Sequence, residues 1–174
     1  MYGGTWQPDL QIRYERELFH SETFGSFGLG LDFGASYAEG YGRYQFGFGS
    51  TNSLQSRTKF SFVQIPLLIG GVYRFNLFRV IRPYVGASVG TMGYTEIRTD
   101  GVDSKRGYTF IYDGRVGASI LLDGLDQKTA RDGYLSSGIQ HTFLFAEYLL
   151  MKSFNKSGII FERNGIYLGF LFEY

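Results

Sequence analysis

Strict alternation between apolar residues and small or polar ones is the feature that most constrains this chain, and residues 163–174 at its end show it. Alternate positions of that segment carry apolar side chains: Ile166, Leu168, Phe170, Phe172 and Tyr174. A repeat of two predicts a β-strand with one apolar face, because an amphipathic helix repeats its apolar residues every three or four positions. Such a strand is an aggregation hazard at the open edge of a sheet in water. A closed barrel in a membrane removes the edge and turns the apolar face towards lipid.

Three features of the sequence resemble those of bacterial outer-membrane β-barrels. The last strand ends on an aromatic residue, Tyr174, as the C-terminal strands of those barrels commonly do. Ile65–Leu68 (Ile-Pro-Leu-Leu) and Arg82–Gly90 (Arg-Pro-Tyr-Val-Gly-Ala-Ser-Val-Gly) are similar to segments of the small ones. The chain therefore resembles the small eight-stranded barrels of the outer-membrane protein A and X type. The resemblance implies a place in the bacterial outer membrane, contact with its lipid and lipopolysaccharide, and insertion by the barrel-insertion machinery through the C-terminal strand.

Composition agrees with one barrel domain over residues 1–174. The chain is rich in glycine and aromatic residues, with Gly 25, Tyr 14 and Phe 17, and poor in proline, with Pro 3. No apolar run approaches the roughly 18 residues that a membrane helix needs. A mean hydropathy of −0.11 is typical of a membrane barrel, because the lumen face of such a barrel is polar. The net charge of +1 gives no reason to expect a nucleic-acid partner, and the absence of cysteine excludes disulfides and thiolate metal sites.

The alternation predicts a closed barrel of eight antiparallel strands in up-and-down order, an even number as in bacterial single-chain barrels. The predicted strands are about Asp9–Phe19, Phe24–Tyr37, Tyr41–Gly49, Lys59–Phe75, Arg82–Ile97, Tyr108–Leu122, Gly138–Met151 and Arg163–Tyr174. Pro66 predicts a bulge, because proline lacks the N–H that a ladder needs and a closed barrel has no free edge. The register of the seventh strand stays open, since turning His141 and Glu147 inward also turns Phe143 and Phe145 inward.

Three sets of side chains follow from these faces. Residues predicted to face lipid are Leu29, Leu31, Phe33, Ile65, Leu67, Ile69, Val116, Ile120, Leu168, Phe170 and Phe172. Residues predicted to form a polar network in the lumen are Arg13, Glu15, Glu17, Asp32, Arg43, Arg74, Asp113, Arg115 and Glu147. An interfacial aromatic girdle is predicted from Tyr37, Tyr44, Tyr73, Phe75, Phe110, Tyr148 and Tyr174. Because an eight-stranded barrel is only just wide enough for its side chains, ion pairs that fill the lumen are favoured over a polar conduit.

The eight-strand count also predicts which connections share a side of the membrane. With both termini in the periplasm, outer loops are expected near His20, Ser50, Asp100 and Asn155, and inner turns near Glu39, Asn76 and residues 123–137. The last of these is long for an inner turn, and we expect one helical turn at residues 127–131. Met1 is interpreted as an added start residue on a mature chain from which an export signal has been removed.

Candidates for catalysis are few. His20-Ser21-Glu22 contains the residue types of outer-membrane lipid A deacylases, but side chains of adjacent residues on a strand point apart, so a polar turn is favoured. His141 and Glu147 lie about 20 Å apart if both are on one strand. No catalytic, cofactor or metal site is predicted, and the expected function is a non-enzymatic, monomeric envelope protein with a structural or surface-interaction role.

Three alternatives remain open. A narrow channel and a lipid A-modifying enzyme would both use the same membrane barrel. The third alternative is a soluble lipocalin-like barrel, since Gly4-Thr5-Trp6 resembles the Gly-x-Trp signature of that family. A lipocalin encloses its apolar face around a lipophilic ligand, so the position of the apolar face separates this alternative from the membrane barrel.

Overall fold

A computed structural model describes residues 8–21, 23–45, 53–76, 80–99, 104–123, 134–154 and 161–173. Within them the chain forms seven antiparallel strands in one sheet, each paired with its neighbours in sequence. The strands are β1 (Asp9–Ser21), β2 (Gly25–Gln45), β3 (Ser53–Arg74), β4 (Ile81–Arg98), β5 (Lys105–Leu121), β6 (His141–Ser153) and β7 (Glu162–Glu173). The predicted all-β class and the antiparallel up-and-down order are confirmed. In the described ranges, no helix is both long enough and apolar enough to cross a membrane.

The predicted second and third strands are a single strand, β2, so the described residues contain seven strands and not eight. Glu39, where a turn was expected, pairs with Ser61, and the ladder between β2 and β3 extends from Ser26 to Gln45. Glycines near residue 40 led us to expect a turn there. In the structure, residues before and after this position pair with β3, so the strand continues. The register shifts between Tyr41 and Arg43, where β3 has two more residues than β2, without ending the strand.

Merging the two strands changes which connections share an end of the sheet. Connections 22–24, 75–80 and 122–140 lie at one end, which we call the turn end. Connections 46–52, 99–104 and 154–161 lie at the other, the loop end. His20 is therefore at the same end as Asn76, so its expected grouping with the connections after β2, β4 and β6 is wrong. Those three connections share one end, and the connections near Asn76 and after β5 share the other, as expected. Phe24 follows the outer loop expected near His20, and Tyr73 precedes the inner turn expected near Asn76. The two residues are nevertheless in contact, because the Tyr73 hydroxyl donates to the Phe24 carbonyl oxygen at 2.6 Å.

Pro66 produces no bulge. The ladder between β3 and β4 runs through it without a shift, with Ile65 opposite Gly93 and Pro66 opposite Met92. The ladder to β2 keeps one register on both sides of Pro66 but lacks pairs at residues 34 and 35. Because proline has no N–H, it leaves a local gap in the β2–β3 ladder and does not produce a bulge. The predicted bulge is therefore wrong. Phe62 points inward by ordinary alternation and is 3% exposed.

The connection after β5 holds one helical turn over residues 134–137, where Gly138 N–H donates to the Tyr134 carbonyl oxygen at 3.1 Å. The turn expected at residues 127–131 lies outside the described residues.

The sheet curls until side chains of distant strands meet inside it. β1 reaches β6 through Arg13 and Glu147, whose Nη2 and Oε1 atoms are 3.0 Å apart. β4 reaches β7 through Arg82 and Glu173, whose Nη1 and Oε1 atoms are also 3.0 Å apart. No ladder between β1 and β7 occurs in the part of the chain that the structure describes. The architecture is therefore an open half-barrel with β1 and β7 as its edges.

One glycine in the sheet is required by a close backbone approach. A Cβ atom on Gly90 would lie 2.1 Å from the Leu67 carbonyl oxygen and 2.7 Å from the Leu68 Cα atom. We expect Gly90→Ala to lower the free energy of unfolding by about 1–3 kcal/mol, since backbone has to move to admit the methyl group. Urea titration followed by circular dichroism measures this.

Gly114→Ala on the adjacent β5 is the matched comparison. A Cβ atom at Gly114 meets nothing within 4 Å. We expect this variant to gain up to about 1 kcal/mol, because glycine loses more conformational freedom than alanine on entering a strand. Equal losses in the two variants would rule out the close approach at Gly90 as the cause.

Candidate functional site

A group of charged and polar side chains occupies the inside of the curved sheet. We call it the interior network; its members are Arg13, Glu15, Asp32, Arg74, Tyr84, Ser88, Asp113, Arg115 and Glu147. They come from β1 to β6 and occupy alternate positions on each strand, so the pleat turns all of them to the same side.

Arg115 is the centre of the interior network. Its Nη2 atom lies 2.5 Å from Asp32 Oδ2, 2.8 Å from Asp113 Oδ2 and 2.5 Å from Ser88 Oγ. The Arg115 and Asp113 side chains are each 1% exposed. Removing such charges from water costs several kcal/mol per ion, and opposite charges at hydrogen-bond distance offset this cost. The cluster therefore requires both carboxylates and the guanidinium together.

Arg13 connects this centre to β6. Its Nε atom donates to Asp32 Oδ1 at 2.6 Å and its Nη2 atom to Glu147 Oε1 at 3.0 Å. The Tyr84 hydroxyl donates to Glu147 Oε2 at 2.9 Å. One continuous set of hydrogen bonds thus ties β1, β2, β4 and β6 to one another across the interior.

Arg74 and Glu15 form a second pair beside it, joining β3 to β1 with β2 between them. Both guanidinium nitrogens Nη1 and Nη2 donate to the carboxylate, the latter to Oε2 at 2.7 Å. Glu15 packs directly over Gly28 of β2, where a Cβ atom would lie 2.2 Å from Glu15 Oε1. The absence of a side chain at residue 28 is what lets an ion pair span the intervening strand.

Seven of the nine residues predicted for the lumen lie in the interior network. Glu17 is exposed and lies next to a register shift between Glu17 and Phe19; its Oε1 atom is 3.2 Å from His20 Nδ1. The side chain of Arg43 lies outside what the structure describes. Tyr84 and Ser88 were not predicted as members, although their inward position followed from the same alternation.

An apolar cluster fills the interior on the loop-end side of the network. We call it the apolar block; it consists of Leu68, Met92, Ile111, Leu149 and Met151, with Phe161 and Tyr167 packed against it. Met92 follows Ser88 on β4, and Met151 follows Glu147 on β6, and both strands run towards the loop end. This block was not predicted, because one polar lumen was expected. The signal was present as Leu, Met and Ile at inward positions of adjacent strands.

The outer face of the sheet is apolar. All eleven residues predicted to face lipid lie there, with exposed fractions between 42 and 75%. These are Leu29, Leu31, Phe33, Ile65, Leu67, Ile69, Val116, Ile120, Leu168, Phe170 and Phe172. The contrast within β2 is direct, since Leu31 is 53% exposed and the next residue, Asp32, is 8% exposed.

The residues predicted for an aromatic girdle are distributed unevenly. Tyr73 and Phe75 lie at the turn end with their ring centroids 4.9 Å apart. Phe110 lies near the loop end, beside Tyr108. Tyr37 pairs with Val63 in the half of β3 nearer the loop end, and Tyr148 lies near the middle of β6, away from both ends. Tyr174 and the side chain of Tyr44 lie outside the described residues.

His141 has a partner that sequence reasoning did not identify. Its Nδ1 atom lies 2.7 Å from Asp123 Oδ2, and Thr142 N–H donates to Asp123 Oδ1 at 2.9 Å. Burial would raise the pKa of Asp123, but the hydrogen bonds from His141 and Thr142 outweigh it and hold the pKa below its usual value. This contact fastens the connection after β5 to the start of β6.

His20 lies near Glu17, whereas the Ser21 hydroxyl accepts the backbone N–H of Phe24 at 3.3 Å. Glu22 lies outside the described residues. Among the residues placed by the structure, no three His, Asp or Glu side chains are grouped as metal ligands. Compared with protein-family models, curated proteins and solved structures, the chain matches none of them.

Proposed function

We propose that this protein is an integral component of the bacterial outer membrane: a monomeric, closed, eight-stranded transmembrane β-barrel with a filled interior. It is not an enzyme; it stabilises the envelope or presents its loops to a partner. The proposal places it among the small barrels of the outer-membrane protein A and X type. Its surroundings are outer-membrane lipid and lipopolysaccharide, and the barrel-insertion machinery acts on its C-terminal strand.

One observation carries this proposal: the distribution of side chains between the two faces of the sheet. The outer face presents Leu, Ile, Val and Phe at alternate positions of successive strands, while charged groups are buried inside. A soluble protein rarely exposes a continuous apolar surface of this kind. A barrel in lipid needs that surface, because hydrocarbon surrounds it and charges are tolerated only inside or near the interfaces. A lipocalin-like carrier needs the opposite arrangement.

The sidedness that best fits this proposal has the turn end in the periplasm. Two of its three connections, 22–24 and 75–80, are short, as periplasmic turns are. The loop end would then face the outside, and the part of β2 and β3 beyond the start of β1 would project there.

A pair of adjacent cysteine substitutions tests the membrane assignment. The chain has no cysteine, so Ala35→Cys and Ser36→Cys each introduce a single thiol with little change in size. Ala35 is on the outer face and Ser36 is buried. In liposomes we expect a spin label at residue 35 to be relaxed by oxygen, which dissolves in lipid, and protected from a water-soluble nickel complex. Ser36→Cys should resist labelling in the folded protein. A label at residue 35 that responds to the nickel complex as a free label does would contradict the proposal.

We also expect the protein to carry no ion current in a planar bilayer. The interior network and the apolar block leave the interior filled with side chains, as is usual for eight strands. A general porin added to the same bilayer controls for protein insertion and recording. Reproducible current steps from the purified protein would favour the channel alternative instead.

A further inference from the structure

Arg16 places a cation on the apolar outer face of the sheet, away from the loop end. It lies on the same face of β1 as Ile12 and Tyr14, which are both exposed. Its partner in the ladder is Leu29 of β2, an exposed residue of the outer face. In the described part of the chain, no carboxylate pairs with Arg16. A charge surrounded by hydrocarbon is costly, so Arg16 needs an anion or water within its reach.

A β-bulge follows Arg16 on the same strand. Phe19 pairs with Phe27, but Leu18 before it has no partner in the ladder between β1 and β2. All of residues 16–20 are exposed, whereas exposed and half-buried residues alternate in the part of β1 before them. Leu18 and Phe19 are 57% and 56% exposed. The bulge therefore presents two successive apolar side chains beside the guanidinium, which a regular strand does not do.

Arg16 and the apolar side chains around it form one patch, close to the turn end. We call it the bulge patch; it consists of Arg16, Leu18, Phe19, Phe27 and Leu29. Leu29 is four residues from Gly25, where β2 begins, which is about 13 Å along the strand. The depth is smaller than this length, because strands of membrane barrels are tilted. The long stem of an arginine also carries its charge towards water, so the guanidinium reaches the level of lipid headgroups.

We propose that the bulge patch binds one phospholipid of the membrane leaflet at the turn end. Arg16 holds the phosphate, and the four apolar side chains contact the acyl chains. The inference rests on the proposed function, since it requires lipid around the outer face. A guanidinium suits phosphate because its planar donors form paired hydrogen bonds with two oxygens. The apolar side chains distinguish a phospholipid from free phosphate, which has no apolar surface to bury.

Other anions match the bulge patch less well. Lipopolysaccharide occupies the outer leaflet, which is at the loop end in the sidedness proposed above. A second copy of the chain in the same orientation would have to offer a carboxylate on its outer face near the turn end. The outer-face carboxylates that the structure describes, Glu39 and Glu162, are towards the loop end. The exposed Glu17 already has His20 at 3.2 Å.

Native mass spectrometry tests the inference on the 174-residue chain folded in maltoside micelles, whose headgroups carry no phosphate. Phosphatidylglycerol is added in steps, and the lipid molecules that stay on the released protein are counted. We expect one retained phospholipid per chain. Arg16→Met should weaken its retention about tenfold or more, because the charge-assisted hydrogen bonds to phosphate are lost. Arg16→Lys should weaken it less, since lysine keeps the charge but not the paired donors.

Two further variants separate the charge from its position and from the apolar side chains. Arg106→Met removes an exposed arginine of β5 near the loop end, and its retention should equal that of the unsubstituted protein. Leu18→Ser should weaken retention while Arg16 is intact, because part of the apolar contact with the lipid is removed. Leu18 has no ladder partner, so this change leaves the pairing of β1 with β2 in place. Circular dichroism checks that each variant is folded.

Two other probes identify the ligand. Inorganic phosphate at the same concentration as phosphatidylglycerol should displace little of it, because free phosphate has no acyl chains. Purified lipopolysaccharide should show no retention that depends on Arg16, since its place is at the other end of the barrel.

Four results would overturn the inference. Equal retention by Arg16→Met and the unsubstituted protein would show that Arg16 holds no lipid. Equal losses in Arg16→Met and Arg106→Met would show that any exposed arginine suffices. Displacement by inorganic phosphate would indicate a site for a free anion. Retention of lipopolysaccharide that depends on Arg16, or a dimer that Arg16→Met dissociates, would identify a different partner.

Failure of this inference is distinguishable from failure of the membrane assignment. The spin label at residue 35 reports on lipid around β2 in liposomes, at a position outside the bulge patch. A label that responds to oxygen, together with no retained phospholipid, would leave the membrane barrel in place and remove only the lipid site.

Discussion

Replacing Arg115 with methionine is expected to destabilise the folded protein by about 3–5 kcal/mol, because it leaves Asp113 buried without its cation and removes one of the two cations that contact Asp32. Asp32 and Asp113 both accept hydrogen bonds from the Arg115 guanidinium, and Asp113 is 1% exposed. Methionine retains the length and apolar stem of the side chain, so the loss measures the charge and its hydrogen bonds. Equilibrium unfolding in detergent micelles, followed by circular dichroism, gives the change.

Arg106→Met is the matched control on the same strand. Arg106 is exposed on β5, so the same chemical change there should alter stability by no more than about 0.5 kcal/mol. Combining Arg115→Met with Asp32→Asn and Asp113→Asn should recover part of the loss, since the triple variant buries no unpaired charge at this point. If the triple variant is less stable than Arg115→Met alone, the carboxylates are not what Arg115 neutralises.

Replacing Leu67 with arginine is expected to destabilise the protein by about 2–4 kcal/mol in a lipid bilayer, the range for a cation at the midplane of a membrane barrel. Leu67 lies midway along the part of β3 that pairs with β4, from Phe60 to Arg74, and its side chain is 54% exposed on the outer face. Because the Leu67 side chain is not packed in a core, the expected loss of stability comes from placing a charge in lipid and not from lost packing. Folding into liposomes of defined composition, with urea as denaturant, measures the effect.

Tyr108→Arg places the same charge on the outer face near the loop end. We expect it to cost about 0–1 kcal/mol, because an arginine near the membrane interface reaches water or lipid headgroups. If Leu67→Arg proves as mild as Tyr108→Arg while Arg115→Met is severe, the interior network is correct and the membrane assignment is wrong. Leu67→Arg and Arg115→Met thus test the membrane assignment and the interior network independently.

The faces of the strands could be predicted because alternation is a local property of the backbone. Whether Leu31 and Asp32 point to opposite sides depends only on the pleat, so the inward and outward sets required no knowledge of pairing. The number of strands could not be predicted in the same way. Glycines near residue 40 permit a turn as readily as a continuous strand, and pairing with β3 decided between them.

The candidate site, too, could be predicted only in part. Arg13, Asp32, Arg115 and Glu147 were expected in one lumen, but which carboxylate pairs with which guanidinium depends on strand register. Pairs such as Arg13 with Glu147, 134 residues apart in sequence, are set by the curvature of the sheet and have no local signature. The partner of His141 could not be predicted either, since Asp123 reaches it only through the course of the connection between β5 and β6.

By itself the sequence determined which side chains share a face and that one face is apolar, because a strand reverses side at every residue. The tertiary structure alone decided how many strands the chain makes, which connections share an end, and which interior charges meet. It also separated the interior into a network of ion pairs and a block of apolar side chains. The physical reason is that these properties depend on contacts between residues far apart in the chain, which strand pairing and the curvature of the sheet bring together.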